Sequence, residues 1–94
     1  MEFLRFKIRG PKENNIGQVG LKRRDFVELV YEPDNIYDGF AVAVHAEGKR
    51  IGYVPAELTS EVEDYTNFNV SELSIFDGEV VGCTLVGRKR PQDV

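Results

Sequence analysis

The sequence is poor in the residues that most enzymes rely on. Among its 94 residues there is one cysteine and one histidine. A lone Cys83 forms no internal disulfide, and its place in the apolar run VVGCTLVG marks a buried structural thiol, as expected in a reducing, cytoplasmic setting. With His45 as the single imidazole, the His/Cys zinc sets and the Cys–His nucleophile pairs are out of reach. Four prolines and nine glycines leave no long flexible or low-complexity stretch. No apolar run nears the roughly 20 residues of a membrane helix, and MEFLRFKIRG alternates too much for a secretory leader. No GxxxxGK[ST] segment is there to cradle phosphate. Asp34, Asp38 and Gly39 fit three positions of a calcium loop, but Ile36 and His45 stand where two further ligands are needed, so no metal site is expected. The acids that remain sit on solvated faces, where nothing shifts them toward acid–base work. The expectation is a protein without catalysis, cofactor or metal.

Positive charge is also outnumbered. Twelve bases against sixteen acids leave a net charge of −4, which argues against indiscriminate nucleic-acid binding. From Glu57 to Glu79 there are seven acids and no base. The bases gather elsewhere: Arg5, Lys7, Arg9 and Lys12; Lys22, Arg23 and Arg24; Lys49 and Arg50; Arg88, Lys89 and Arg90. A fold that brought some of these to one face would give an acidic chain a basic groove.

What is present is enough for one small core. Apolar residues make up 41% of the chain and charged residues 30%, which fits a single domain over 1–87 followed by a polar tail over 88–94. EFLRFKIRG sets Leu4, Phe6 and Ile8 on one side and Arg5, Lys7 and Arg9 on the other, the two-residue period of a half-buried strand with a basic outer face. Gly10-Pro11 ends it, and IGQVGL (16–21) reads as a short strand. DFVELVYE is a strand whose apolar density implies cover on both faces. FAVAVHA follows as a deep strand, and Glu47-Gly48-Lys49 turns it back into RIGYV. Pro55 and the stripe Leu58, Val62 and Tyr65 predict a helix over PAELTSEVEDYT with an acidic outer side. VSELSIF and EVVGCTLVG, joined by Asp77-Gly78, form a final hairpin. The fold class is therefore mainly β with one or two short helices. Glycines within the strands favour a small curved barrel of about six strands over an open sheet covered by a helix.

Between the two central strands lies EPDNIYDG. Asn35 and Asp38 can bond backbone amides and fix the turn, and Tyr37 can cover the edge of the core. The same pair can equally meet a ligand, Tyr37 with a flat face and Asp38 with a hydroxyl acceptor. The residues alone leave both roles open.

Across ELVYEPDNIYDGFAVAVHAEGKRIGYVPAE the chain resembles the HIRAN domain, through Glu32-Pro33, Asn35, Tyr37-Asp38, the alternating Ala41–Val44 segment, Gly48 and Gly52-Tyr53-Val54. With the first strand, its Gly10 and the final hairpin, the resemblance covers most of the chain. It implies an OB-like six-stranded β-barrel, of a kind found at the front of SNF2-type helicases and as stand-alone bacterial or phage proteins. The implied ligand is single-stranded DNA captured at its 3′-hydroxyl end, in a DNA-repair setting, with a helicase or nuclease as partner. By that resemblance Tyr37 and Asp38 lie at the end nucleotide. Arg9 and Lys12 are placed to hold preceding phosphates, and Asn35 and Tyr53 complete the candidate set. The chain departs from the family where a basic–aromatic pair is Lys12-Glu13, where a proline is Ile36, and where a longer final hairpin is cut to Asp77-Gly78 beside Phe76. A protein-interaction barrel that has lost DNA binding, offering Glu57, Glu61 and Asp64 to a basic partner, is the alternative.

Overall fold

Alternating side chains build the sheets, and glycine-bearing turns connect them. The computed structural model of the chain describes residues 2–91. Its strands are β1 (Phe3–Lys7), β2 (Glu28–Tyr31), β3 (Val42–Ala46), β4 (Lys49–Tyr53), β5 (Tyr65–Phe76) and β6 (Glu79–Lys89). They form two antiparallel three-stranded sheets, ordered β1-β6-β5 and β2-β3-β4. Val42, Val44 and Ile51 of one sheet and Val70, Cys83 and Leu85 of the other are fully buried against each other. Burial pushes the Cys83 thiol up to about 11, in keeping with a structural role.

Both short hairpins turn as the sequence predicts. Glu47 and Gly48 take φ of 52° and 75°, and Asp77 and Gly78 take 53° and 78°. Positive φ at both central residues matches the right-handed twist of the flanking strands.

The hydrogen-bonded ladders do not close into a continuous barrel among the described residues. The two sheets meet at two seams, each an isolated bridge: Arg9 with Tyr53, and Phe26 with Asn69. At the first seam Arg9 and Tyr53 exchange both backbone hydrogen bonds, at 2.8 and 2.9 Å. Gly52 permits this approach, because a Cβ there would stand 2.9 Å from the Arg9 carbonyl oxygen and from Ile8 Cδ1. At the second seam Asn67 adopts φ of 55° and the β5–β6 register slips between Thr66 and Asn69. β2 is the end strand of its sheet, paired along its length with β3. Phe26 and Tyr31 are exposed rather than covered, against the expectation from its apolar density.

Two further expectations are corrected. The helix predicted over 55–66 is two short 3-10 helices, Ala56–Leu58 and Glu61–Asp64, and Tyr65 already belongs to β5. Arg90 takes the carbonyls that a continuing helix would need: its N–H donates to Asp64 O at 2.8 Å and its Nε to Glu63 O at 3.1 Å. Tertiary pairing overrides the helical stripe. The strand expected over 16–21 is a 3-10 helix at Ile16–Gln18, closed by Gln18 N donating to Asn15 O at 2.9 Å. Buried Ile16 and Val19, three residues apart, match the 3-10 repeat.

β6 runs through Arg88 and Lys89, and the last part of the 88–94 segment, residues 92–94, lies outside the described residues. Among the described residues no helix is long and apolar enough to cross a membrane.

Candidate functional site

The loop 32–41 is held shut at its base and braced from within. Glu32 N donates to Ala41 O at 3.0 Å, extending the β2–β3 ladder by one step. Two turns follow, closed by Asn35 N to Glu32 O at 3.0 Å and by Ala41 N to Asp38 O at 3.1 Å. Asn35 Oδ1 accepts from the backbone N–H groups of both Tyr37 and Asp38, at 2.9 and 3.1 Å. Asp38 Oδ1 accepts from Phe40 N at 2.9 Å. These are the local side-chain bonds that Asn and Asp offer a turn. The turn-fixing role read for Asn35 and Asp38 is thus present in the geometry.

Below the loop, Glu32 is the meeting point of three donors. Its Oε1 accepts from the Tyr53 hydroxyl at 2.8 Å and from Asn35 Nδ2 at 3.1 Å, and its Oε2 pairs with Arg50 Nη1 at 3.3 Å. Arg50 also donates from Nη1 to the Tyr53 oxygen at 2.7 Å and from Nε to Asn14 Oδ1 at 2.6 Å, with its guanidinium 5.2 Å from the Tyr53 ring centre. Asn14 Nδ2 in turn donates to Gly10 O at 2.7 Å. One arginine so ties the 10–15 loop, β4 and the 32–41 loop into a single floor. Burial pushes the Glu32 carboxyl up, but the bonds from Tyr53, Asn35 and Arg50 outweigh it, and its pKa falls below the usual range. Burial and the bond to Glu32 raise the Tyr53 hydroxyl.

Above this floor opens a cleft of about 520 Å³. Five of the six residues singled out from the sequence line it: Arg9, Asn35, Tyr37, Asp38 and Tyr53. Their parts differ. Tyr37 is 92% exposed, so its ring is a free face at the rim. Asp38 uses only Oδ1 within the loop, leaving Oδ2 without a partner among the described residues. The Arg9 side chain likewise makes no hydrogen bond or ion pair there. Tyr53 and Asn35 are braced into the floor and support the others.

Lys12 does not join them. The turn closed by Asn14 N to Pro11 O at 3.2 Å faces Glu13 and Asn14 toward the cleft, while Lys12 lines a separate hollow with Phe76, Asp77 and Glu79. Phe76 lines that hollow and is not among the residues of the cleft. Glu57 also lines the cleft, so its free charges are mixed.

Arg50 was not among the candidates from the sequence, because positions 50 and 53 of a regular strand point to opposite faces. The β3–β4 register passes from His45↔Arg50 to Val44↔Gly52, skipping Ile51. That bulge brings Arg50 and Tyr53 to the same side. The charge opposite to Glu32 on the strand that carries Tyr53 was the available signal.

Residues 2–89 match the family model described as the HIRAN domain. The fold is similar to the crystal structure of the HIRAN domain of human HLTF, with a TM-score of 0.63 and 18% identity over 90% of this chain and 74% of that one. At that identity the likeness concerns the fold. No match was found among curated proteins.

Proposed function

The chain belongs to the HIRAN family, and on that footing we propose that it is a non-catalytic nucleic-acid-binding module whose cleft takes the 3′-hydroxyl end of single-stranded DNA. One observation carries this reading. A braced loop offers an exposed aromatic ring beside a carboxylate oxygen, and the same cleft is lined by Arg9; neither that oxygen nor the Arg9 side chain has a partner among the described residues. Asp38 Oδ2 accepts a hydrogen bond from a terminal hydroxyl. Tyr37 stacks on the end base or sugar, a contact worth ~1–3 kcal/mol. Arg9 neutralises the phosphate preceding the end. Glu13 and Glu57 keep further negative charge out, so a blocked end carrying a 3′-phosphate is disfavoured by repulsion as well as by the lost hydrogen bond.

The choice of DNA over RNA follows the family resemblance. A helicase or nuclease acting on the same strand end is the class of partner the reading implies. The test is an NMR titration with a short single strand bearing a free 3′-hydroxyl. Shifts confined to Arg9, Tyr37, Asp38 and Tyr53 are the expected result. Silence at these residues contradicts it and leaves the acidic side around Glu57, Glu61 and Asp64, and hence a basic protein partner, as the better account.

A further inference from the structure

Members of two of the four basic clusters of the sequence, Arg5 of one and Arg23 and Arg24 of the other, come together at the β1-β6-β5 sheet. Arg5 and Lys7 point outward from β1, while Phe6 and Ile8 point into the core. Across the sheet Arg5 stands beside Val86, and Val86 beside Asn69 of β5. The segment 22–25 folds over the end of this row. Arg24 N donates to Val70 O at 2.7 Å, Arg23 Nε donates to Ser71 O at 3.3 Å, and Lys22 N is capped by Asp25 Oδ2 at 2.9 Å. The result is an open hollow of about 300 Å³ with Arg5, Arg23 and Arg24 in its wall and Glu72 as the one acid among its lining residues.

The exposed residues Lys7 and Arg9 lead from this hollow toward the cleft along the chain. Arg5 and Lys7 of β1 and Arg9 two residues beyond it are exposed, alternating with buried Phe6 and Ile8, and Arg9 already lines the cleft. At ~3.3 Å per strand residue they span about 13 Å, the length of roughly four stacked nucleotides at ~3.4 Å each. Arg24 sits at φ of 74°, a conformation glycine takes freely and arginine does not.

We propose that this face is a phosphate track: Arg9, Lys7, Arg5 and Arg24 hold the backbone of a single strand on the 5′ side of an end seated in the cleft. The cations lie in a line, which suits one extended polyanion better than the plane of a bilayer. An acidic chain thereby carries a local basic groove. The track depends on the cleft reading only for the direction in which the strand runs.

The test compares wild type, Asp38→Asn and the triple variant R5A/K7A/R24G by fluorescence anisotropy. The probes are single strands of about 3 and about 12 nucleotides with free 3′-hydroxyls. Glycine at position 24 suits the local φ, and the other two side chains are exposed, so thermal melts should match wild type. The triple variant should bind the longer strand at least about tenfold more weakly. Its log K against log salt should be shallower by about 2, at ~0.7 per lost phosphate contact, with binding of the short strand unchanged. Unchanged affinity and salt slope for the longer strand overturn the track. So does triple-sensitive binding of phosphatidylserine vesicles without binding of the longer strand. If Asp38→Asn binds both strands as wild type does while the triple variant still loses the longer strand, the track stands and the cleft reading falls.

Discussion

The Tyr53 hydroxyl donates to Glu32 Oε1 across 2.8 Å, joining β4 to the first residue of the loop that carries Tyr37 and Asp38. The contact links the Arg9–Tyr53 seam to the rim of the cleft, so sheet closure and loop position depend on the same side chains.

That contact makes the loop sensitive to acid. The Glu32 pKa is lower in the folded chain than in the unfolded one, so its stabilisation is fully present above the ordinary glutamate value of ~4.3. It is lost as pH falls through the lower folded-state value. Melting temperatures followed from pH 6 to pH 3 should drop in wild type. Glu32→Gln should start lower at pH 6 and show a flatter acid limb.

Asn35 acts through the backbone. Asn35→Ala leaves the Tyr37 and Asp38 N–H groups without their acceptor and should cost about 1 kcal/mol of stability. Hydrogen exchange at those two amides should quicken, and strand-end binding should weaken although Asn35 itself need not touch DNA.

The seam has a steric requirement that can be isolated. Gly52→Ala places a Cβ against the Arg9 carbonyl and Ile8, and should destabilise by about 1–3 kcal/mol in a denaturant titration.

Tyr37 separates binding from folding. With its ring 92% exposed, Tyr37→Ala should leave the melt within about 0.5 kcal/mol of wild type. Binding of a single strand, measured by calorimetry, should lose ~1–3 kcal/mol.

Much of this was legible in the residues. The period of two in EFLRFKIRG, the dipeptides Glu47-Gly48 and Asp77-Gly78, and the proximity of Asn35 to the Tyr37-Asp38 pair are local signals, and the fold follows them. The misses are tertiary. Leu58, Val62 and Tyr65 carry a helical spacing, but Arg90, just past the end of β6, captures the helix carbonyls and β5 captures Tyr65. Arg50 escaped notice because only the skipped Ile51 turns it toward Tyr53. Lys12 follows the first strand's Gly10 as the family's basic residue does, but the Pro11–Asn14 turn sets it in another hollow. Signals within a few residues survive folding, and bulges and chain crossings rearrange the rest.

The most direct test is the affinity of wild type for one oligonucleotide sequence ending in a 3′-hydroxyl or a 3′-phosphate. An Asp38 carboxylate that accepts the terminal hydroxyl predicts a preference for the hydroxyl of ~1.5–3 kcal/mol, about tenfold to a hundredfold, largely removed in Asp38→Asn. Equal affinity for the two ends in wild type would contradict the account.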